Sequence, residues 1–192
     1  MRSSVYIGMT ITARNLDGYG APAIEWDRVR EVLDGQLTQA PGTVPRKREV
    51  PPGPDRHTTW LTTVNHDGSP HVMPVGVMRH GGHWYFTSGP ATRKSRNLAR
   101  DPRCVVSVAT LPFDLVIEGT VQRVTEGDEL RSVAKVFVDN GWPTEVDGDA
   151  LTAEYSAPSA GPPPWYVYRV EPSTLFALGT SEPYGATKFD VT

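Results

Sequence analysis

Trp84-Tyr85-Phe86-Thr87-Ser88-Gly89-Pro90-Ala91-Thr92-Arg93-Lys94-Ser95-Arg96-Asn97-Leu98 reads as a strand, a tight turn and a short helix that Asp101-Pro102 stops. Thr92 is a good N-cap, which puts Arg93 and Lys94 in the first helical turn. Cations are disfavoured there by the positive end of the helix dipole. Arg93, Lys94, Arg96, Arg100 and Arg103 are answered only by Asp101 in that segment. An anion at the helix N-terminus resolves the conflict, because free backbone N–H groups and side-chain cations converge on it. With the hydroxyls of Thr87, Ser88 and Thr92 and the amide of Asn97 close by, the stretch reads as a phosphate cradle. The alternative is a solvated basic helix face. Neither Gly-x-x-x-x-Gly-Lys-Ser/Thr nor Gly-x-Gly-x-x-Gly occurs, so the standard nucleotide loops do not apply.

Outward from this segment the chain reads as mainly β. Thr58 to Val64 and Pro70 to Met78 flank an Asn65–Ser69 turn, and Gly81-Gly82 leads into His83 to Thr87, giving two consecutive antiparallel hairpins. Cys104 to Thr110, Leu115 to Val124 and Trp165 to Leu178 are again β-rich. Six or so antiparallel strands with few helices imply a closed barrel, which removes exposed edges. Ile24 to Leu37 has a helical stripe of Trp26, Val29 and Leu33. A second helix begins in capping-box style from Thr125 in Thr125-Glu126-Gly127-Asp128 and carries Leu130, Val133, Ala134, Phe137 and Val138 on one face, with Gly141 as its C-cap. Residues up to Gly20 read as a tail, Thr38 to Arg56 with five prolines as a linker, and Trp142 to Pro164 as a loose region. The expected division is residues 1–56 as tail, helix and linker, and 57–192 as the barrel domain.

The bulk numbers exclude several classes. The chain has 192 residues and a net charge of −3, with pI near 5.9, which argues against nucleic-acid binding. Its single cysteine, Cys104, rules out an internal disulfide framework and lies in an apolar run that reads as core. No segment has the roughly 20 apolar residues of a membrane span, and no leader-like apolar run opens the chain. A cytoplasmic protein is the expectation. The five histidines lack metal-ligand spacing, so no metal is expected.

Asp67-Gly68-Ser69-Pro70-His71-Val72-Met73-Pro74-Val75, then Trp84 to Ser88, then Arg93-Lys94-Ser95-Arg96-Asn97-Leu98, then Asp101-Pro102-Arg103, in that order, resemble the pyridoxamine 5′-phosphate oxidase-like family of flavin and deazaflavin proteins. The longer Pro-rich loop and the ending through Thr187-Lys188-Phe189 look like an actinobacterial-type branch. The resemblance implies a six-stranded antiparallel split β-barrel of FMN-binding type, a homodimer with cofactors at the subunit interface, and FMN or coenzyme F420. It also implies that His71, Val72, Met73, Pro74 and Val75 lie against the cofactor ring. Thr87, Ser88, Thr92, Arg93, Lys94 and Asn97 would hold the phosphate, while Trp165, Thr187 and Lys188 would close the pocket. The ending lacks the Arg-rich pattern of the pyridoxal-phosphate-forming members, which counts against that particular substrate.

In such a protein the cofactor carries the reaction. The expected function is hydride transfer between FMN or F420 and a small organic substrate, with His71 and Tyr184 as candidate proton donors. The tail of F420 would want further cations, such as Arg46, Lys47, Arg48 or Arg56. The rival is a non-catalytic protein that stores or senses a flavin or haem, with His71 or His83 as the haem ligand.

Overall fold

Short runs that alternate apolar and polar residues, rich in Val, Thr and aromatics, form most of the elements. A computed structural model describes residues 3–6, 8–35, 58–157 and 160–192. The first elements are β1 (Ser3–Tyr6), β2 (Met9–Asn15), α1 (Trp26–Asp34), β3 (Thr58–Val64), β4 (Pro70–Gly76), β5 (Met78–His80) and β6 (His83–Ser88). Next come α2 (Arg93–Arg100), β7 (Arg103–Ala109), β8 (Phe113–Val124) and α3 (Gly127–Asp139). The chain ends with β9 (Thr144–Asp147), β10 (Ala150–Ala153), β11 (Tyr166–Gly179) and β12 (Ala186–Val191).

Ten strands share one antiparallel sheet in the order β1-β2-β12-β11-β8-β7-β3-β4, with β6 also on β11 and β5 on β6. The first half of β11, Tyr166 to Val170, lies between β6 and β8. At Pro172–Thr174 the register shifts, and Thr174 to Leu178 then lies between β12 and β8. This bulge lets one long strand serve both the barrel and its extension. Gly119 faces the bulge, where a Cβ would stand 2.1 Å from the Glu171 carbonyl oxygen. Around the barrel run β4, β3, β7, β8, β11 and β6, and β4 passes close to β6 without pairing. That seam makes it a split barrel of six strands.

The barrel is filled by Leu61, Phe86, Leu115, Ile117, Val170 and Leu175, and α1 adds Trp26, Val29 and Leu33. A second core lies under α3, where Leu130, Val133 and Phe137 meet Tyr85, Val124, Leu151 and Val167. Outside it, Arg169 bonds Glu129 at 2.8 Å and Glu171 at 2.6 Å, while the Tyr85 hydroxyl donates to Glu129.

Four expectations need correction. The segment read as a tail contributes β1 and β2; β2 pairs with β12, and Ile11 is only 1% exposed. Its alternation is short, and the unsatisfied edge of β12 recruits it. The region read as loose holds the β9–β10 hairpin around Gly148, whose φ is +60°. Leu151 and Val146 anchor this hairpin on α3. Val138, expected on the packed face of α3, is exposed at that stripe's edge. Glu126, not Thr125, caps α3 by accepting from the Asp128 N–H at 2.8 Å. The proposed linker from Thr38 to Arg56, with Arg46, Lys47, Arg48 and Arg56, and the boundary at His57 lie outside the described residues. Among the described residues no helix is long and apolar enough to cross a membrane.

Candidate functional site

The turn between β6 and α2 is stitched by hydroxyls. Thr92 accepts the Ser95 N–H at 3.2 Å and shares a 2.8 Å hydrogen bond with Ser88. Ser95 in turn donates to Ser88 at 2.8 Å. The cap read from sequence is therefore present, and the Ser88 and Thr92 hydroxyls are occupied in building it. Asn97 gives its amide hydrogens to Thr63 at 3.0 Å and Asn65 at 3.1 Å, which fastens α2 to β3. Asn97 thus positions the helix. Asp101 pairs with Arg103 at 2.6 Å, and Arg100 donates to the Val64 carbonyl.

Arg93 and Arg96, both exposed, and Lys94 then have neither an ion pair nor a side-chain hydrogen bond among the described residues. Lys94 is 8% exposed, and burial holds its ammonium below the usual lysine range. It lines a cavity of about 590 Å³, within the size range of small-molecule sites. On the β3–β4 ladder His71 stands opposite Thr63, the residue that Asn97 holds. Partial burial, then the charges of Arg93 and Lys94, keep the His71 pKa below the ordinary histidine value.

Pro74, Val75 and Gly76 all line the cavity. Successive strand residues point to opposite faces, so three in a row present the strand's edge. β4 is indeed an edge strand, and the cavity opens at the seam beside it. Pro74, with no N–H to give, suits such an edge. Thr87 and Met78 continue the lining, and Phe137, Trp142 and Tyr155 form the opposite wall. Trp142 packs edge-on against Phe137 at 5.2 Å. Its indole N–H donates to the Tyr155 carbonyl at 2.5 Å, and the Tyr155 hydroxyl donates to the Gly141 carbonyl at 3.0 Å.

The structure brings Pro74, Val75, Thr87 and Lys94 onto this cavity and sets His71 and Arg93 beside it. Val72 points outward, and Met73 is half-buried off the lining. Trp165 lies buried behind the wall, 5.5 Å from Trp142 and next to Gly89. Lys188 pairs with Asp190 and sits opposite Phe176 of β11. Phe176 is about 30 Å along the strand from Tyr166, which marks the cavity end. Thr187 is buried beside it and accepts the Ile24 N–H at 2.8 Å. Tyr184, at φ +51°, occupies the turn beyond the far end of β11. Within one chain, these three residues do not reach the cavity. Sequence reading missed the aromatic wall. Its available signal was the Trp142 and Tyr155 pair inside a segment otherwise composed like a loop.

Residues 50–145 match the family model of pyridoxamine 5′-phosphate oxidase, half of the chain. The chain belongs to this family. The match spans β3 to α3 and therefore both the α2 cap and the cavity edge of β4, whereas Tyr155 lies beyond it. Among solved structures, a candidate 5-nitroimidazole antibiotic resistance protein from Bacteroides thetaiotaomicron aligns with TM-score 0.52 at 12% identity, covering 94% of this chain and 90% of that one. A candidate pyridoxamine 5′-phosphate oxidase from Listeria innocua aligns with TM-score 0.51 at 15% identity, covering 79% and 96%. Identities this low show a common fold and nothing finer. No curated protein matches the chain.

Proposed function

We propose that the chain binds FMN or coenzyme F420 at the seam cavity and acts as an oxidoreductase on a small organic substrate. The observation that carries this reading is Lys94, a buried cation without a counter-charge on the wall of a cavity of about 590 Å³. Such a group is costly to bury alone, and a terminal phosphate would answer its charge. The second point of fit is the edge of β4 at Pro74 to Gly76, whose outward side has no strand partner among the described residues. Open backbone groups there suit the polar rim of a flat heterocycle, and the apolar wall suits its face.

The bound ring would supply hydride transfer. The protein's part would be to hold the phosphate with Lys94 and Arg93, orient the ring against β4, and exclude water with Phe137, Trp142 and Tyr155. A second copy of the chain completes the proposal. The outward ladder Pro74, Trp60, Ser107, Val116, Phe176 crosses β4, β3, β7, β8 and β11. On it Trp60 is 43% exposed, and nearby Val72 is 49% exposed. Residues such as Lys188 and Tyr184 could meet a cofactor only from that second copy.

Absorbance of the purified protein, followed by titration with FMN and with F420, tests the reading. Saturable binding of one of them, weakened at least about tenfold on Lys94→Gln, is expected. Bleaching by a reductant and recovery with an added quinone or enone would mark an enzyme, and bleaching without recovery a store. If neither cofactor binds, the proposal fails.

A further inference from the structure

We propose that His71 is the third arm of the phosphate cradle, and that an anion seated there binds together with one proton. This rests on the phosphate assignment above and adds its regulation by pH. The register of β3 and β4 puts His71 opposite Thr63. Asn97, buried on α2, bonds Thr63 at 3.0 Å. Arg93 and Lys94 lie one helical turn before Asn97, so the start of α2 is carried over the His71 end of the ladder.

The charged groups that act on His71 are therefore Arg93 and Lys94 of α2. The facing group on β3 is the Thr63 hydroxyl, which does not titrate. No carboxylate of the described residues contributes. Three cations crowded in a partly dry place repel, and of the three the imidazole has the ordinary pKa nearest neutral pH. In the free protein His71 is accordingly pushed towards its neutral form. A phosphate or sulfate dianion reverses the balance, because an opposite charge nearby favours the protonated ring. The proton comes from solvent, and the anion and the proton enter together.

The sign follows directly. Between the midpoint of free His71, below 6.5, and its higher midpoint in the complex, each unit fall in pH tightens binding by up to about tenfold. Below both midpoints, or above both, the slope vanishes. A phosphate monoester has its own second ionisation near about 6, whereas sulfate stays a dianion throughout. Sulfate is thus the probe that isolates the protein's proton.

Titration of the His71 ring by NMR, in wild type with and without saturating sulfate, FMN or F420, reads this without any activity. A midpoint at least about one unit higher with the anion is expected. Calorimetry of sulfate binding at pH 7 in two buffers of different ionisation heat should show proton uptake with wild type and none with His71→Gln. If no anion moves the midpoint, or if His71→Gln keeps the uptake, the inference is overturned, whichever cofactor binds. If sulfate raises the midpoint while FMN and F420 both fail to bind, the cofactor reading fails and the proton-coupled anion site stands.

Discussion

Replacing Lys94 with Met should make the cofactor-free protein more stable and the loaded protein weaker. The side chain is 8% exposed and has no ion pair among the described residues. A buried polar group left unsatisfied costs about 1–3 kcal/mol. Lys94 opens onto the cavity, so the gain from Lys94→Met should be at the low end, about 1 kcal/mol. For a chain of this size that raises Tm by about 2–4 °C. The pH dependence has a definite sign. Burial lowers the folded-state pKa below the unfolded value near 10.5, so between the two the unfolded chain binds more protons. Wild-type stability therefore rises with pH through the folded midpoint and levels off above the unfolded one, and the variant lacks this rise. On the cofactor side, loss of a charge-assisted hydrogen bond of about 1.5–3 kcal/mol weakens binding about 10- to 150-fold. Thermal unfolding with and without FMN or F420 measures both effects on one sample. A variant that melts lower without cofactor, or that binds cofactor as tightly as wild type, would refute the reasoning.

Other outcomes are expected from single sites. Cys104 is buried, with its thiol pushed up to about 12, so iodoacetamide should label it only after denaturant unfolds the chain; rapid labelling of the native protein would contradict its placement in the core. Gly119→Ala sets a methyl against the Glu171 carbonyl oxygen at the bulge, where a Cβ would come within 2.1 Å. It should cost at least about 1–3 kcal/mol in thermal or urea unfolding. Trp60→Asp puts a charge in the middle of the outward apolar ladder. Light scattering should then give the mass of a monomer where wild type gives a dimer, and a wild-type monomer would remove the second copy from the site.

Much of the barrel was legible in short windows of sequence. The Asn65–Ser69 and Gly81-Gly82 turns announced the two hairpins, and Thr92 announced the cap that Ser95 confirms by its N–H. Each depends on residues within a few positions of one another. The β9–β10 hairpin also carried a local sign, Asp147-Gly148, but proline-rich surroundings outweighed it in the reading. β2 had almost no sign of its own. It becomes a strand because β12 lies beside it and Ile11 has a core to enter.

The amino-acid sequence by itself determined that a capped helix follows a strand and that cations crowd its first turn. Backbone preference and nearest-neighbour charge are enough for that. It could not separate Arg93 from Lys94, adjacent residues that local rules treat alike. Tertiary packing decided that Lys94 is buried on the cavity wall while Arg93 stays exposed beside it. Packing also decided that Phe137, Trp142 and Tyr155 wall a space edged by β4. Those contacts join positions scores of residues apart, and only the partner exchange of β11 at its bulge and the unpaired seam between β4 and β6 bring them together.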